Sequence, residues 1–200
     1  MKTIVQIGTA NAEDNVLDYI KEQKFDVFGI FIEPNPYSIA HVQKQYKDLK
    51  AKVISNIAIS NKDGSIDFYL PCDFQNGNSQ IASVNLDHLV EHGNPVSSIY
   101  RVTVPCYKLN SYLNRLLGFT TEQKIDTLFI DTEGHDCDII LSTDFSLLSI
   151  DQVFFEIAHT DGAFTGIETE KFKATDKHLN SFGFSMKEIN KEHGSIVYVK

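Results

Sequence analysis

The stretch IDTLFIDTEGHDCDIIL, residues 125–141, decides how the rest of the chain is read. An apolar run ends abruptly in Asp131, Glu133, His135, Asp136 and Asp138, gathered around the single glycine Gly134. A six-residue run with four β-branched or aromatic residues, a tight polar turn and a renewed apolar run predict a buried strand, a loop and a helix. Four carboxylates and an imidazole this close together repel, and they lose hydration if buried. One account makes them helix residues, with Asp131 and Thr132 as caps and Glu133, Asp136 and Asp138 set against the dipole. It leaves His135 unexplained, since an imidazolium in a first turn opposes the dipole. The sharper account is general acid or base chemistry, because a histidine beside carboxylates titrates near neutral pH.

Outward from this stretch, short β-branched runs alternate with amphipathic segments, the pattern of βαβ units around a mainly parallel sheet. TIVQI (3–7), DVFGIFI (26–32), AKVISNIAI (51–59), IDTLFI (125–130) and QVFFEI (152–157) read as successive strands. Helices are expected over 11–24, 38–49 with Ser38 as N-cap, 109–117, 168–181, and directly after the acidic cluster. NKDG (61–64) predicts a turn that adds SIDFYL to the sheet as a hairpin. Residues 71–100 read as a long loop with a short helical piece, of the kind that covers ligand sites. GFSMKEINKEHGSIVYVK closes the chain as two strands. The whole describes a doubly wound sheet whose last strand runs antiparallel, in one domain over 1–200. Ligands in such sheets bind at the carboxyl ends of strands, which is where Asp131 falls.

Composition narrows the partners. A net charge of −9 and scattered Lys and Arg exclude a nucleic-acid polymer as the expected ligand. No run reaches the length of a membrane span, and Cys72, Cys106 and Cys137 stand in no paired spacing. A cytoplasmic protein is expected, with no metal, since no metal-ligand spacing is recognisable, although Asp131 and its neighbours offer hard oxygen donors.

The first βα turn, QIGTANAED (6–14), holds Gly8, with Ala10 and Ala12 as small residues in place of further glycines. Such a turn lets backbone approach a ligand, and the NH groups of the next helix attract an anion. A dinucleotide fingerprint is missing, because only one glycine is present. Glu33 ends the second strand, 25 residues after Gly8, near where these folds place the acid that accepts hydrogen bonds from a ribose diol. Glu156 and His159, at the end of the fifth strand, could face the same crevice; Asp87 and His88 carry a weaker signal. Phe68, Tyr69, Phe74, Tyr100 and Tyr107 are candidates for a substrate pocket or for ordinary core.

DTEGHD, between the strand IDTLFI and CDIIL, resembles the D-x-E-G-H-E signature of the FkbM family of S-adenosylmethionine-dependent methyltransferases. QIGTAN, IEPNP, NIAISNKDG, VPCYKLNSYL and FFEI follow the family's order over nearly the whole chain. The resemblance implies the class I methyltransferase fold, a Rossmann-like sheet of seven strands with an antiparallel terminal hairpin. It implies S-adenosylmethionine as cofactor and methyl transfer to a hydroxyl of a sugar or other small molecule. By motif, Gly8, Ala10 and Asn11 would face the methionine part of the cofactor, Glu33 the ribose, and Asn56 and Ala58 the adenine. Asp131 would stand at the methyl-transfer point, with Glu133 and His135 as base or substrate ligands. Gln6 stands where the family commonly has an acid, Thr9 is an extra residue, and Ala12 or Glu13 replaces a second glycine. Many relatives also cover the cofactor with an N-terminal segment before the first strand. Here a partner subunit, a second copy of the chain, the 71–100 loop or an open site is expected in its place. Two other readings remain beside the methyltransferase: a cofactor-impaired assembly module on the same fold, and a nicotinamide dehydrogenase, which the missing fingerprint and the terminal hairpin disfavour.

Overall fold

The computed structural model describes residues 1–12, 14–24, 26–72, 80–159, 166–190 and 194–200. Seven strands form the main sheet: β1 (Lys2–Ile7), β2 (Val27–Ile32), β3 (Ala51–Ser55), β7 (Lys124–Ile130), β8 (Ser149–Glu156), β9 (Ser185–Asn190) and β10 (Ser195–Val199). Their order is β3-β2-β1-β7-β8-β10-β9. The first five are parallel, while β10 runs antiparallel to both β8 and β9. The expected doubly wound, seven-stranded sheet with its antiparallel terminal hairpin is therefore the observed one.

Alternation along the strands sorts the core to the two faces of the sheet. Ile4 and Phe31 join Val16, Leu17, Ile20, Val42 and Tyr46 on the side of α1 (Asn15–Glu22) and α2 (Ile39–Gln45). Val5, Ile7, Ile30, Ile32, Leu128 and Ile130 join Cys137, Ile139, Ile140, Phe172 and Leu179 on the side of α4 (Asp136–Leu141) and α5 (Glu170–Ser181). The Phe31 and Tyr46 rings stack with centroids 3.7 Å apart. Gly29 makes room for that stack, since a Cβ there would overlap the Phe31 ring.

The helices differ from expectation at their ends. The first begins at Asn15 rather than Asn11, because Ala10 and Ala12 take φ of +44° and +55° and the Asp14 side chain caps Val16 and Leu17. Ser38 does precede α2, but its hydroxyl makes no capping bond.

The run 51–59 is split, which corrects the expected hairpin. Residues 51–55 stay beside β2, while β4 (Ala58–Ile59) leaves to pair in parallel with β6 (Tyr100–Tyr107). Asn56 makes the break, donating its side-chain amide to the carbonyls of Glu33 and Pro34. β5 (Gly64–Leu70) pairs antiparallel with β6, so β4, β6 and β5 form a separate three-stranded sheet. β6 was the strand hidden in YRVTVPCY, where Val104 and Cys106 pack against Phe68 and Leu70. As expected, the 71–100 segment carries a short helix, α3 (Leu86–Glu91). No helix among the described residues is long and apolar enough to cross a membrane.

Candidate active site

Register builds the site. Ile7 lies abreast of Ile32 on one side and of Ile130 on the other, so the next residues, Gly8, Glu33 and Asp131, leave three adjacent strands side by side. β1 is also where the winding reverses, with β2 and β3 to one side and β7 and β8 to the other. A crevice opens there in sheets of this kind.

Gly8 has φ +80°, and its close approach is to the chain's own backbone: a Cβ would overlap the Asp131 carbonyl oxygen. Two hydrogen bonds hold that approach, Gly8 N to Ile32 O and Asp131 N to Ile7 O, both 2.9 Å. Ala10 and Ala12 occupy the left-handed region that glycine would favour, so the small residues do substitute for glycines at a cost in strain.

Glu33 is buried at 4% exposure. Its Oε2 accepts from Thr9 N (2.9 Å) and Ala10 N (2.7 Å), and its Oε1 from Asn35 N (2.7 Å). Burial raises its pKa to about 7, against the three backbone donors. Three of the roughly four lone-pair sites of the carboxylate are thus taken by backbone donors, two of them from the glycine turn, which Glu33 clamps.

Gln6, in place of the family's acid, has a clear structural reason. Its Nε2 donates to Asp14 Oδ2 (2.6 Å) and its Oε1 accepts from the Tyr46 hydroxyl (2.9 Å). The amide both donates and accepts here, which an ionised acid cannot do. Gln6→Glu would face two carboxylates at that separation in a buried place, and should cost about 2–4 kcal/mol at pH 8. The cost should shrink at pH 5, because a pair forced together holds a proton to higher pH in the folded state than in the unfolded chain. Urea midpoints at the two pH values measure both effects; equal losses would contradict the charge argument.

The DTEGH turn winds through two consecutive left-handed residues, Glu133 at φ +54° and Gly134 at φ +94°. Ser83 Oγ donates to the Glu133 carbonyl (2.7 Å), and Asp136 Oδ1 accepts from Thr132 N (3.1 Å). The helix account of the cluster holds only for Asp136 and Asp138, which lie in the first turn of α4. His135 is the N-cap residue, and neither Asp131 nor Thr132 caps the helix. Both ring nitrogens of His135 are engaged, Nδ1 with Asp138 Oδ2 (3.3 Å) and Nε2 with Ser60 Oγ (3.0 Å). Burial opposes ionisation of Asp138, but His135 and Lys171 hold its pKa at about 2.

Asp131 is exposed to water at the mouth of the crevice, with protein packed around the rest of its side chain. Enclosure, then the carboxylates of Glu156 and Asp14, raises its pKa to about 7. Glu133 is pushed further, to about 9, by burial and then by Asp131 and Glu156. Its Oε2 lies 3.0 Å from His88 Nε2 and 3.6 Å from His159 Nδ1, and the latter is 2.9 Å from Glu156 Oε2. The rings of His88, His92 and His159 crowd together, with centroids 4.3–5.4 Å apart. Burial and then the two neighbouring imidazoles drive the His88 pKa down to about 3.

A cavity of about 200 Å³ lies among these groups, lined by Gly8, Ala10, Asn11, Glu33, Ala58, Asp131, Glu133 and His135 from the sequence candidates. Asn56 is exposed and braces the Glu33 and Pro34 carbonyls instead of lining it. Phe68 is in the wall; Tyr69, Tyr100 and Tyr107 are not, and Phe74 lies outside the described residues. Glu156, His159 and His88 join the Glu133 carboxylate, whereas Asp87 is exposed. Ser60, Ser83 and Asp14 carried no sequence signal, because serine and a lone aspartate are common in loops and caps.

A model of the "Methyltransferase FkbM domain" matches residues 6–186. The chain belongs to the FkbM methyltransferase family. Among solved structures, a methyltransferase FkbM from Methylobacillus flagellatus superposes with a TM-score of 0.58 at 9% identity, over 100% of this chain and 43% of that one. Fibrillarin from Aeropyrum pernix, crystallised with natively bound S-adenosyl-L-methionine, gives 0.51 at 10% identity, over 99% and 66%. Fibrillarin from Methanococcus jannaschii gives 0.50 at 13%, with the same coverage. The FkbM domain here thus spans less than half of its Methylobacillus relative and about two thirds of the fibrillarins. These neighbours share the class I methyltransferase fold with it. No curated protein matches the chain in sequence.

Proposed function

We propose that this FkbM domain is an S-adenosylmethionine-dependent O-methyltransferase acting on a hydroxyl of a small molecule or sugar. One observation carries the reading: the cavity at the carboxyl ends of β1, β2 and β7 joins the glycine turn, Glu33 and the DTEGH turn in one wall. The wall suits such a cofactor, with Ala58, Ile59 and Phe68 as an apolar side and carboxylates and backbone opposite. When bound, the cofactor supplies an electrophilic methyl group. Gly8, Ala10 and Asn11 would hold its methionine end, Ala58 its adenine, and Glu33 the ribose through the turn it braces. Asp131 stands nearest the junction of the strands. With its pKa near 7 it suits the removal of a hydroxyl proton at neutral pH. Glu133 and His135 would position the acceptor, since His135 is held by Asp138 and Ser60 and Glu133 by the histidine cluster.

A second reading, a cofactor-impaired module, draws on the backbone donors that already fill most of the Glu33 carboxylate. Calorimetry with S-adenosylhomocysteine, with NAD as control, separates the two. Saturable one-to-one binding of S-adenosylhomocysteine alone is the expected result, and Asp131→Asn should keep it while losing methyl transfer to hydroxyl acceptors. A folded protein that shows no heat with S-adenosylhomocysteine would overturn the first reading in favour of the second.

A further inference from the structure

The group that the methyltransferase reading uses least is the buried cluster behind Glu133. His88 is fully buried, and among the described residues neither of its ring nitrogens makes a hydrogen bond. Its Nε2 lies 3.0 Å from Glu133 Oε2, so the two atoms are close without the alignment a hydrogen bond needs. One ligand atom from each of His88, Glu133 and His159 lies within 4.8 Å of the others. We propose that His88, His159 and Glu133 bind one divalent transition-metal ion.

The spacings support coordination. Glu133 Oε2 lies 3.0 Å from His88 Nε2 and 3.6 Å from His159 Nδ1. A tetrahedron with bonds near 2.1 Å has edges of about 3.4 Å, within the small adjustments side chains make on binding an ion. Two imidazoles with one carboxylate select zinc, cobalt, nickel or iron over magnesium and calcium, which take oxygen ligands. The Glu133 carboxylate as ligand, and Glu156 beside the His159 ring, offset the double positive charge. His92 supports the set from behind: its Nδ1 donates to the His88 carbonyl at 2.8 Å, since a carbonyl only accepts. Sequence spacing could not show this site, because its ligands come from α3, the DTEGH turn and the segment after β8.

Glu133 also lines the cavity, so the ion would stand at its edge, within reach of a bound acceptor hydroxyl. That last role rests on the methyltransferase reading; the metal site does not. Tag-free protein stripped by a chelator and titrated with cobalt(II) should bind one equivalent and develop the visible absorption of a low-symmetry cobalt site. His159→Gln and Glu133→Gln should each weaken binding at least about 100-fold, more than loss of an outer-shell partner. Asp87→Asn, an exposed acid beside His88, should leave it unchanged. Zinc should raise the thermal midpoint of the wild type and not that of His159→Gln, which covers the case in which a His88 variant fails to fold. Folded wild type that takes up no cobalt, or cobalt bound equally by His159→Gln and Glu133→Gln, would overturn the proposal. S-adenosylhomocysteine calorimetry on the stripped sample reads the cofactor site separately.

Discussion

Gly8→Ala is expected to destabilise the protein by more than about 4 kcal/mol, a large part of the 5–15 kcal/mol that holds an ordinary domain together. Two costs add. A φ of +80° strains any residue with a Cβ, by about 1–2 kcal/mol. The Cβ also overlaps the Asp131 carbonyl oxygen and comes within 2.8 Å of its carbon. Neither backbone can yield, because Gly8 N and Asp131 N are each bonded to the neighbouring strand at 2.9 Å. Gly93→Ala is the control: its φ is +84°, but nothing lies within 4 Å of the added methyl. Urea denaturation of the pair should therefore separate clash from conformational strain. Equal losses of midpoint would show that the strand ends part easily, and that the Gly8–Asp131 approach does not fix the site.

The second large effect is expected from Glu33→Ala, through the turn more than through any ligand. The truncation leaves Thr9 N, Ala10 N and Asn35 N without their acceptor. At about 1–3 kcal/mol for each buried unsatisfied group, and with water entering from the cavity to offset part, a loss of about 3 kcal/mol is expected. Affinity for S-adenosylhomocysteine should fall with it, because Ala10 and its neighbours would leave the cavity wall. Glu33→Gln distinguishes clamp from ligand. It keeps one oxygen for Thr9 and Ala10 and opposes an amide NH2 only to Asn35 N, so it should recover more than half of the lost stability. If Glu33→Gln proves as unstable as Glu33→Ala, the bonds to Thr9 and Ala10 are not what Glu33 contributes.

These variants show why single motifs mislead about roles. A glycine after the first strand reads as room for a ligand, yet at Gly8 the space is taken by the Asp131 carbonyl. An acid after the second strand reads as a diol acceptor, yet Glu33 first serves three backbone NH groups. In both cases the residue type follows from local chemistry, and its partner follows from a strand that is distant in sequence.

The sequence by itself determined the alternation of strands and helices, the terminal hairpin and the carboxyl-end position of Asp131, because burial imprints a period on every strand and helix. It also marked Glu33, Glu133, His135, Glu156 and His159 as groups needing an explanation, since buried charge is costly wherever it falls. Tertiary structure alone decided that 58–59 leave the main sheet for β6, that Gln6 bridges Asp14 and Tyr46, and that His88 meets Glu133 and His159. All but the Gln6–Asp14 bond join segments tens of residues apart. Their energies depend on register, on backbone carbonyls and on the direction of single lone pairs, and none of these leaves a periodic trace in the order of residues.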